Sequence, residues 1–342
     1  MKILLRLLLI FIAAGVVSTA AALFYFQGQL SISYPPAAPA TLFEIPRGIG
    51  NREIVKMLHG RNVIADENIA LAYLIYSGSR GKLRAGEYMF DKPMTLPEVI
   101  DKLVKGSVYL HKFTVPEGLT IEDTARKWEE QGFGSKGDFL IAARDSVSLI
   151  QDIDGKATTL EGYLFPETYS FPTRTTSRQA IEAMIARFKS VLEKLKQETP
   201  AEGWPRSLRE TVILASLVET EAAQEDERPL IASVYLNRLV RNTLLQCDPT
   251  VIYALKNAGE YKGSLTLADL KYNSPYNTYL YAGLPPGPIT NPGFRSLAAA
   301  VKPGNTRYLF FVRTTAGRHT FSETLAAHNR AVQKYRALRR AS

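Results

Sequence analysis

The chain has 342 residues, of which 46% are apolar, 22% charged and 10% aromatic. That length exceeds what one core usually holds, and that balance excludes wholesale disorder and fibrous repeats. A single cysteine, Cys247, rules out an intramolecular disulfide and a Cys-based zinc site, and four scattered histidines outline no metal cluster. The formal charge of +9 suits a polyanionic partner without selecting one.

Lys2 and Arg6 precede an apolar run from Leu7 to Phe26, broken only by Ser18 and Thr19. Twenty helical residues span roughly 30 Å, enough to cross a bilayer core. The two leading cations place residues 1–6 in the cytoplasm, 7–26 in the membrane and the remainder outside it. A cleaved signal peptide ending near Ala20-Ala21-Ala22 is the alternative. The run continues through Leu23-Phe24-Tyr25-Phe26, which favours an uncleaved anchor. Either arrangement exports the body of the protein and argues against nucleic acid as a partner.

Residues 27–42, with three prolines and no charge, are expected to form a semi-extended linker. An internal echo follows. Phe43-Glu44-Ile45-Pro46-Arg47-Gly48-Ile49 returns as Phe113-Thr114-Val115-Pro116-Glu117-Gly118-Leu119. Each copy reads as strand, turn and helix, the helices carrying Ile54, Val55 and Leu58, then Ile121, Ala125 and Trp128. Between them, residues 83–90 read as a strand and Thr95–Val104 as a helix with a capping box from Thr95 to Glu98. This rhythm resembles the LysM modules that bind cell-wall glycans, so residues 43–160 are expected to form a LysM-like α+β region.

A catalytic domain is expected over 161–342. The segment Glu161–Phe171 is rich in aromatics, a polar helix is expected at Ser177–Lys196, and Pro200–Pro205 forms a break. Ser207–Ala223 reads as a helix apolar on every side at Val212–Val218, the pattern of complete burial. Glu219 follows directly, with small or apolar neighbours on its own helix and Glu221 on another face. Burial and a helix C-terminus both favour the neutral carboxyl, which a general acid for glycosidic cleavage requires. A plain salt bridge from Glu219 to Arg228 or Arg238 is the structural alternative.

Beyond it, Leu245–Tyr253 (LQCDPTVIY), Tyr276–Tyr279 (YNTY), Gly283–Ile289 (GLPPGPI) and His319–Asn329 (HTFSETLAAHN) set amides and tyrosines in rigid turns, as sugar clefts do. Gln246, Asn277 and Asn329 are candidates to hold hydroxyl or N-acetyl groups, Tyr276 and Tyr279 to stack on sugar, and His319 and His328 to hydrogen-bond near the cleft. Glu161 and Glu167 are expected to be structural, Cys247 a semi-buried thiol, and the Arg330–Arg340 cluster a solvated helix face.

Together with Leu217–Glu221 and Asn237-Arg238-Leu239, these motifs resemble the YceG-like family of endolytic murein transglycosylases over nearly the whole chain. The resemblance implies an α+β fold with a single membrane anchor, and a lyase that cuts β-1,4 bonds between N-acetylmuramic acid and N-acetylglucosamine in nascent peptidoglycan. It implies Glu219 as the catalytic acid, with Glu221 near the substrate, and neither metal nor organic cofactor. It also implies an inner-membrane location, a catalytic domain on the periplasmic side and peptidoglycan synthases as partners. The family more often has Thr or Ser where Cys247 stands. A hydrolase would require two carboxylates, whereas a lytic transglycosylase uses the C6 hydroxyl of the muramyl residue and one acid. A water-using muramidase with Glu161 or Glu221 as second acid, and a non-catalytic wall-binding scaffold, are the rival expectations.

Overall fold

A computed structural model describes residues 2–34, 42–314 and 317–341. The chain divides into two compact units. One takes the residues up to His111 together with Ser170–Arg174, and the other takes Lys112–Tyr169 and everything from Thr175 onward.

In the smaller unit, α1 (Lys2–Leu30) is exposed along nearly its whole length, and it is long and apolar enough to cross a membrane. Two short strands follow, β1 (Ser33–Tyr34) and β2 (Leu42–Ile45), then helices α2 (Asn51–Gly60) and α3 (Glu67–Tyr76). The unit is completed by β3 (Gly86–Met89), β4 (Met94–Thr95) and α4 (Leu96–Lys105). β1 pairs antiparallel with β4, and β2 with β3 in the register Phe43 opposite Tyr88. Apolar residues three and four apart on α2 and α4 meet this sheet: Ile54, Val55, Leu58, Val99, Ile100 and Leu103 join Phe43, Ile45 and Tyr88 in one core. The Thr95–Glu98 capping box is present, and α4 ends at Gly106 in the left-handed conformation.

Residues 27–42 do not form the expected linker throughout. Residues 27–30 continue α1, and Ser33–Tyr34 is already paired with the globule; residues 35–41 lie outside the described residues. The next strand, β5 (His111–Thr114), is where the chain passes into the larger unit.

That unit continues with α5 (Ile121–Glu130), α6 (Lys136–Asp145), β6 (Thr168–Phe171), α7 (Ser177–Glu198), α8 (Leu208–Glu221), α9 (Arg228–Val240) and α10 (Asp248–Asn257). It closes with α11 (Phe294–Val301), β7 (Phe310–Arg313), β8 (His319–Ser322) and α12 (Leu325–Ala341). β5 pairs with β6 and β7 with β8, so among the described residues every sheet has two strands, and the architecture is mixed helix and short strand. The second copy of the echo therefore folds with the larger unit, and the compact division falls near residue 111 rather than 160. The echo reflects two similar local solutions, strand then Pro-x-Gly turn then helix, placed in different surroundings.

The centre of the larger unit is α8. Its capping box runs from Ser207 to Glu210, and every residue from Thr211 to Val218 is buried. The segment 288–293 lies along it: Ile289 N–H donates to Ser216 Oγ at 3.1 Å. Gly162 fits between Pro288 and Val212 at φ +90°, where a Cβ would come within 2.9 Å of both.

Candidate active site

The two glutamates at the end of α8 have different surroundings. The Glu219 side chain is only 5% exposed, and both its oxygens are occupied. Arg228 Nη2 donates to Oε1 at 2.9 Å, and the backbone N–H of Gly293, which caps α11, donates to Oε2 at 2.9 Å. Arg228 Nε in turn donates to Ser296 Oγ, and Glu117 Oε2 lies 3.8 Å from the same guanidinium. The expectation of small and apolar neighbours holds within α8 itself. What occupies the carboxyl arrives from α9 and the start of α11, and it forms the salt bridge weighed as the structural alternative. Glu219 does not line the cleft beside it.

Glu221 does. It is the last residue of α8 and opens into a cleft of about 290 Å³ lined by Thr220, Arg238, Gln246, Asp248, Tyr279 and His319, with Phe311–Arg313 along one side. Burial pushes its carboxyl up to about 7; the charge of Asp248 acts in the same direction, while Cys247 and Tyr235 oppose it. The Cys247 thiol donates to Glu221 Oε1 at 3.6 Å and is fully buried, rather than semi-buried as expected.

The walls of the cleft follow from local structure. Gln246 adopts φ +51°, and its N–H donates to Thr278 O. Asp248 opens α10 with Pro249 behind it, and its Oδ1 accepts from the Tyr279 hydroxyl at 2.5 Å. His319 on β8 is oriented by the buried Glu227, which takes the ring Nδ1 at 2.8 Å and the backbone N–H at 2.9 Å. Nε2 is then the ring atom left for a ligand. Arg238 donates to the carbonyls of Leu245 and Leu309, which ties the β7 wall to the Gln246 loop.

Of the residues expected at substrate, the cleft thus collects Glu221, Gln246, Tyr279 and His319. It does not collect the others. Asn277 is fully buried and holds its own turn, donating to Leu270 O and Tyr272 O and accepting from Tyr279 N–H. Tyr276 packs against Tyr253 with ring centres 5.0 Å apart. Asn329 is exposed on α12, and His328 stacks on Phe310. Asp248, Arg238 and Arg313 are cleft residues that sequence reasoning did not assign to the substrate. The Asp-Pro step opening a helix beside Gln246 was the available signal for the first.

Glu161 and Glu167 are structural. Glu167 pairs with Arg187. Glu161 is buried, accepting from Ile121 N–H at 3.1 Å and from the Tyr253 hydroxyl at 3.4 Å, and burial pushes it up to about 8. Its folded form therefore keeps a proton that an ordinary carboxyl releases near 4.5. The stability contributed by that proton is complete below about 4.5 and is lost as pH rises toward about 8. Glu161→Gln should flatten this decline, so the variant gains on the parent from pH 5 to pH 8, as read from chemical-denaturation midpoints at both values. Among the described residues, no group of three or more His, Cys, Asp or Glu is placed to hold a metal ion.

Comparison with known proteins agrees with the motifs. The YceG-like family model matches residues 43–334. An endolytic murein transglycosylase of Bacillus subtilis is 37% identical over 306 residues, covering 85% of this chain and 83% of the relative. One from Streptococcus pneumoniae is 28% identical over 322 residues, and there the match spans only 57% of the longer relative. A crystal structure of a yceG-like protein from Listeria monocytogenes superposes with a TM-score of 0.58 at 34% identity, over 85% of this chain and 98% of that one.

Proposed function

Because the chain belongs to the YceG-like family, we propose that it is an endolytic murein transglycosylase, a lyase that cuts peptidoglycan glycan strands internally. The observation that carries the mechanism is Glu221, a carboxyl pushed up to about 7 at the end of a buried helix, opening into a polar cleft. We assign the acid/base role to Glu221, in place of Glu219, because only Glu221 reaches that cleft.

In the reaction, Glu221 protonates the oxygen leaving C1 of the muramyl residue as the C1–O bond breaks. The C6 hydroxyl of the same residue attacks C1, and its proton passes to the Glu221 carboxylate. The products are a 1,6-anhydromuramyl end, a free 4-hydroxyl on the other fragment and the regenerated acid. Holding the nucleophile in the same ring replaces a captured water. The Asp248 carboxylate, steadied by Tyr279, faces the positive charge that develops at C1. Gln246 and His319 Nε2 supply hydrogen bonds to the sugar.

Asp248 also favours a second reading, because two carboxylates in one cleft are what a water-using muramidase needs. Mass spectrometry of products from uncrosslinked strands separates the two. Lyase products are about 18 Da lighter, by one water, than hydrolytic fragments. Hydrated ends would establish the muramidase, and intact strands that co-sediment with the protein would leave a wall-binding scaffold.

Lys2 and Arg6, in the first turns of α1 and ahead of its apolar run, support a single-pass anchor with its N-terminus in the cytoplasm, which sets the cleft on the outer face beside the strand synthases. The strand–helix–helix–strand order of residues 42–89, closed by the β2–β3 pairing, supports a LysM-like glycan-binding role for the smaller unit.

A further inference from the structure

We propose that the C-terminal end of α3 is a second membrane contact, in which Ile75 and Tyr76 enter the headgroup region of the bilayer that α1 crosses. This rests on the reading of α1 as a membrane span.

The face of α1 that is covered is confined to its end: Phe26, Gln29 and Leu30 are part-buried, whereas Leu7–Tyr25 are exposed. What covers it is α3. A pocket beside the end of α1 brings Gln29, Ile32 and Tyr34 together with Val63–Asp66 and Ile69, next to the start of α3. At the other end of α3, the Tyr76 ring packs edge-on against Phe26 with centres 6.0 Å apart. Ile32 follows Phe26 by six residues, the first four of them in α1, and Tyr76 follows Ile69 by seven helical residues, so each stretch covers roughly 10 Å. The start of α3 therefore lies level with the chain just past α1, and its end level with Phe26. α3 descends along α1, and its last residues arrive level with Phe26, the final residue of the apolar run.

The residues delivered to that depth suit it. Ile75 is 63% and Tyr76 is 76% exposed, large apolar groups at the end of a helix whose other large residues are covered to a greater extent. Tyrosine at the limit of the hydrocarbon, ring inward and hydroxyl outward, is the usual interfacial arrangement. The turn that follows, Ser77–Lys82, carries Arg80 and Lys82 exposed, cations of a length that reaches lipid phosphate. The β1–β4 pairing begins three residues beyond the end of α1, so only a short connection separates α1 from the sheet.

The test uses the full chain in vesicles of phosphatidylcholine and phosphatidylglycerol, with Cys247→Ser and an environment-sensitive fluorophore on one new cysteine. Tyr76→Cys probes the contact, Asn68→Cys the membrane-distal end of α3, and Ser18→Cys the span. Lipids bearing a nitroxide near the headgroup should quench the label at position 76 several-fold more than at position 68, with blue-shifted emission, and lipids bearing it in mid-chain should quench the label at position 18. If position 76 stays unquenched while position 18 is quenched, the anchor stands and this contact is wrong. If neither is quenched, the anchor reading fails and takes the contact with it. Blue-shifted emission at position 76 without lipid quenching would mean that protein, such as a second copy, covers this surface, and would also overturn the proposal.

Discussion

Glu221→Gln should lower strand cleavage by about a hundred- to ten-thousand-fold, the range that a general acid/base commands. The substitution keeps the shape of the side chain and removes the transferable proton. Its fold should not suffer. A carboxyl pushed up to about 7 makes its folded state progressively less stable as pH rises from about 4.5 to about 7, because the unfolded chain ionises freely over that interval. At pH 8 the glutamine variant should therefore melt above the parent, the pattern of a site that gives up stability for function. The parent's rate should fall as pH rises through about 7, because the protonated acid is lost. Anhydro products counted by mass spectrometry across pH 5–9, beside a thermal melt, check all of these; undiminished cleavage by the variant would remove Glu221 from the mechanism.

The other large effect is expected at the neighbouring glutamate's partner. Arg228→Ala leaves Glu219 buried with one oxygen unmatched, and breaking a buried pair from one side costs about 3–5 kcal/mol. For a unit of this size each kcal/mol moves the melting temperature by about 2–4 °C, so the transition should fall by roughly 6–20 °C. Removing both charges is a different matter. In Glu219→Gln, Arg228→Met no buried charge is left alone, and most of the loss should return. Glu219→Gln by itself should still cut strands below its lowered melting temperature. A Glu219→Gln protein that is folded yet inactive would restore Glu219 to the acid's role.

Local periodicity located α8 and showed that it is buried on every side, because burial of a whole helix is written in consecutive residues. The spacing of Thr95 and Glu98 gave the capping box of α4, and the periodicity of Ile54, Val55 and Leu58 the core face of α2. It could not distinguish Glu219 from Glu221, since what separates them comes from elsewhere. Arg228 and the Gly293 N–H reach the first from α9 and α11, and the Gln246 and Asp248 loop faces the second. Amides were misjudged for a related reason. Asn277 and Gln246 sit in similar turn-rich text, but Asn277 spends all its hydrogen bonds on its own turn while Gln246 faces the cleft. Nothing in either residue's immediate neighbours marks that difference.

Asn291 has a bearing on how the chain is made. Its side chain accepts from Gly162 and Leu164 and donates to Leu119 O, 172 positions earlier. At about 5–20 residues per second, roughly ten to thirty seconds of synthesis separate those two partners. For the later part of that interval Val212–Val218 has been made without the segment that will cover it, and Glu219 has no Gly293 to meet. Contacts of such long sequence separation form slowly and leave apolar surface open to aggregation and proteases. A chain stopped short of residue 290 would therefore lack the piece that closes over α8 and holds Leu119 and Gly162.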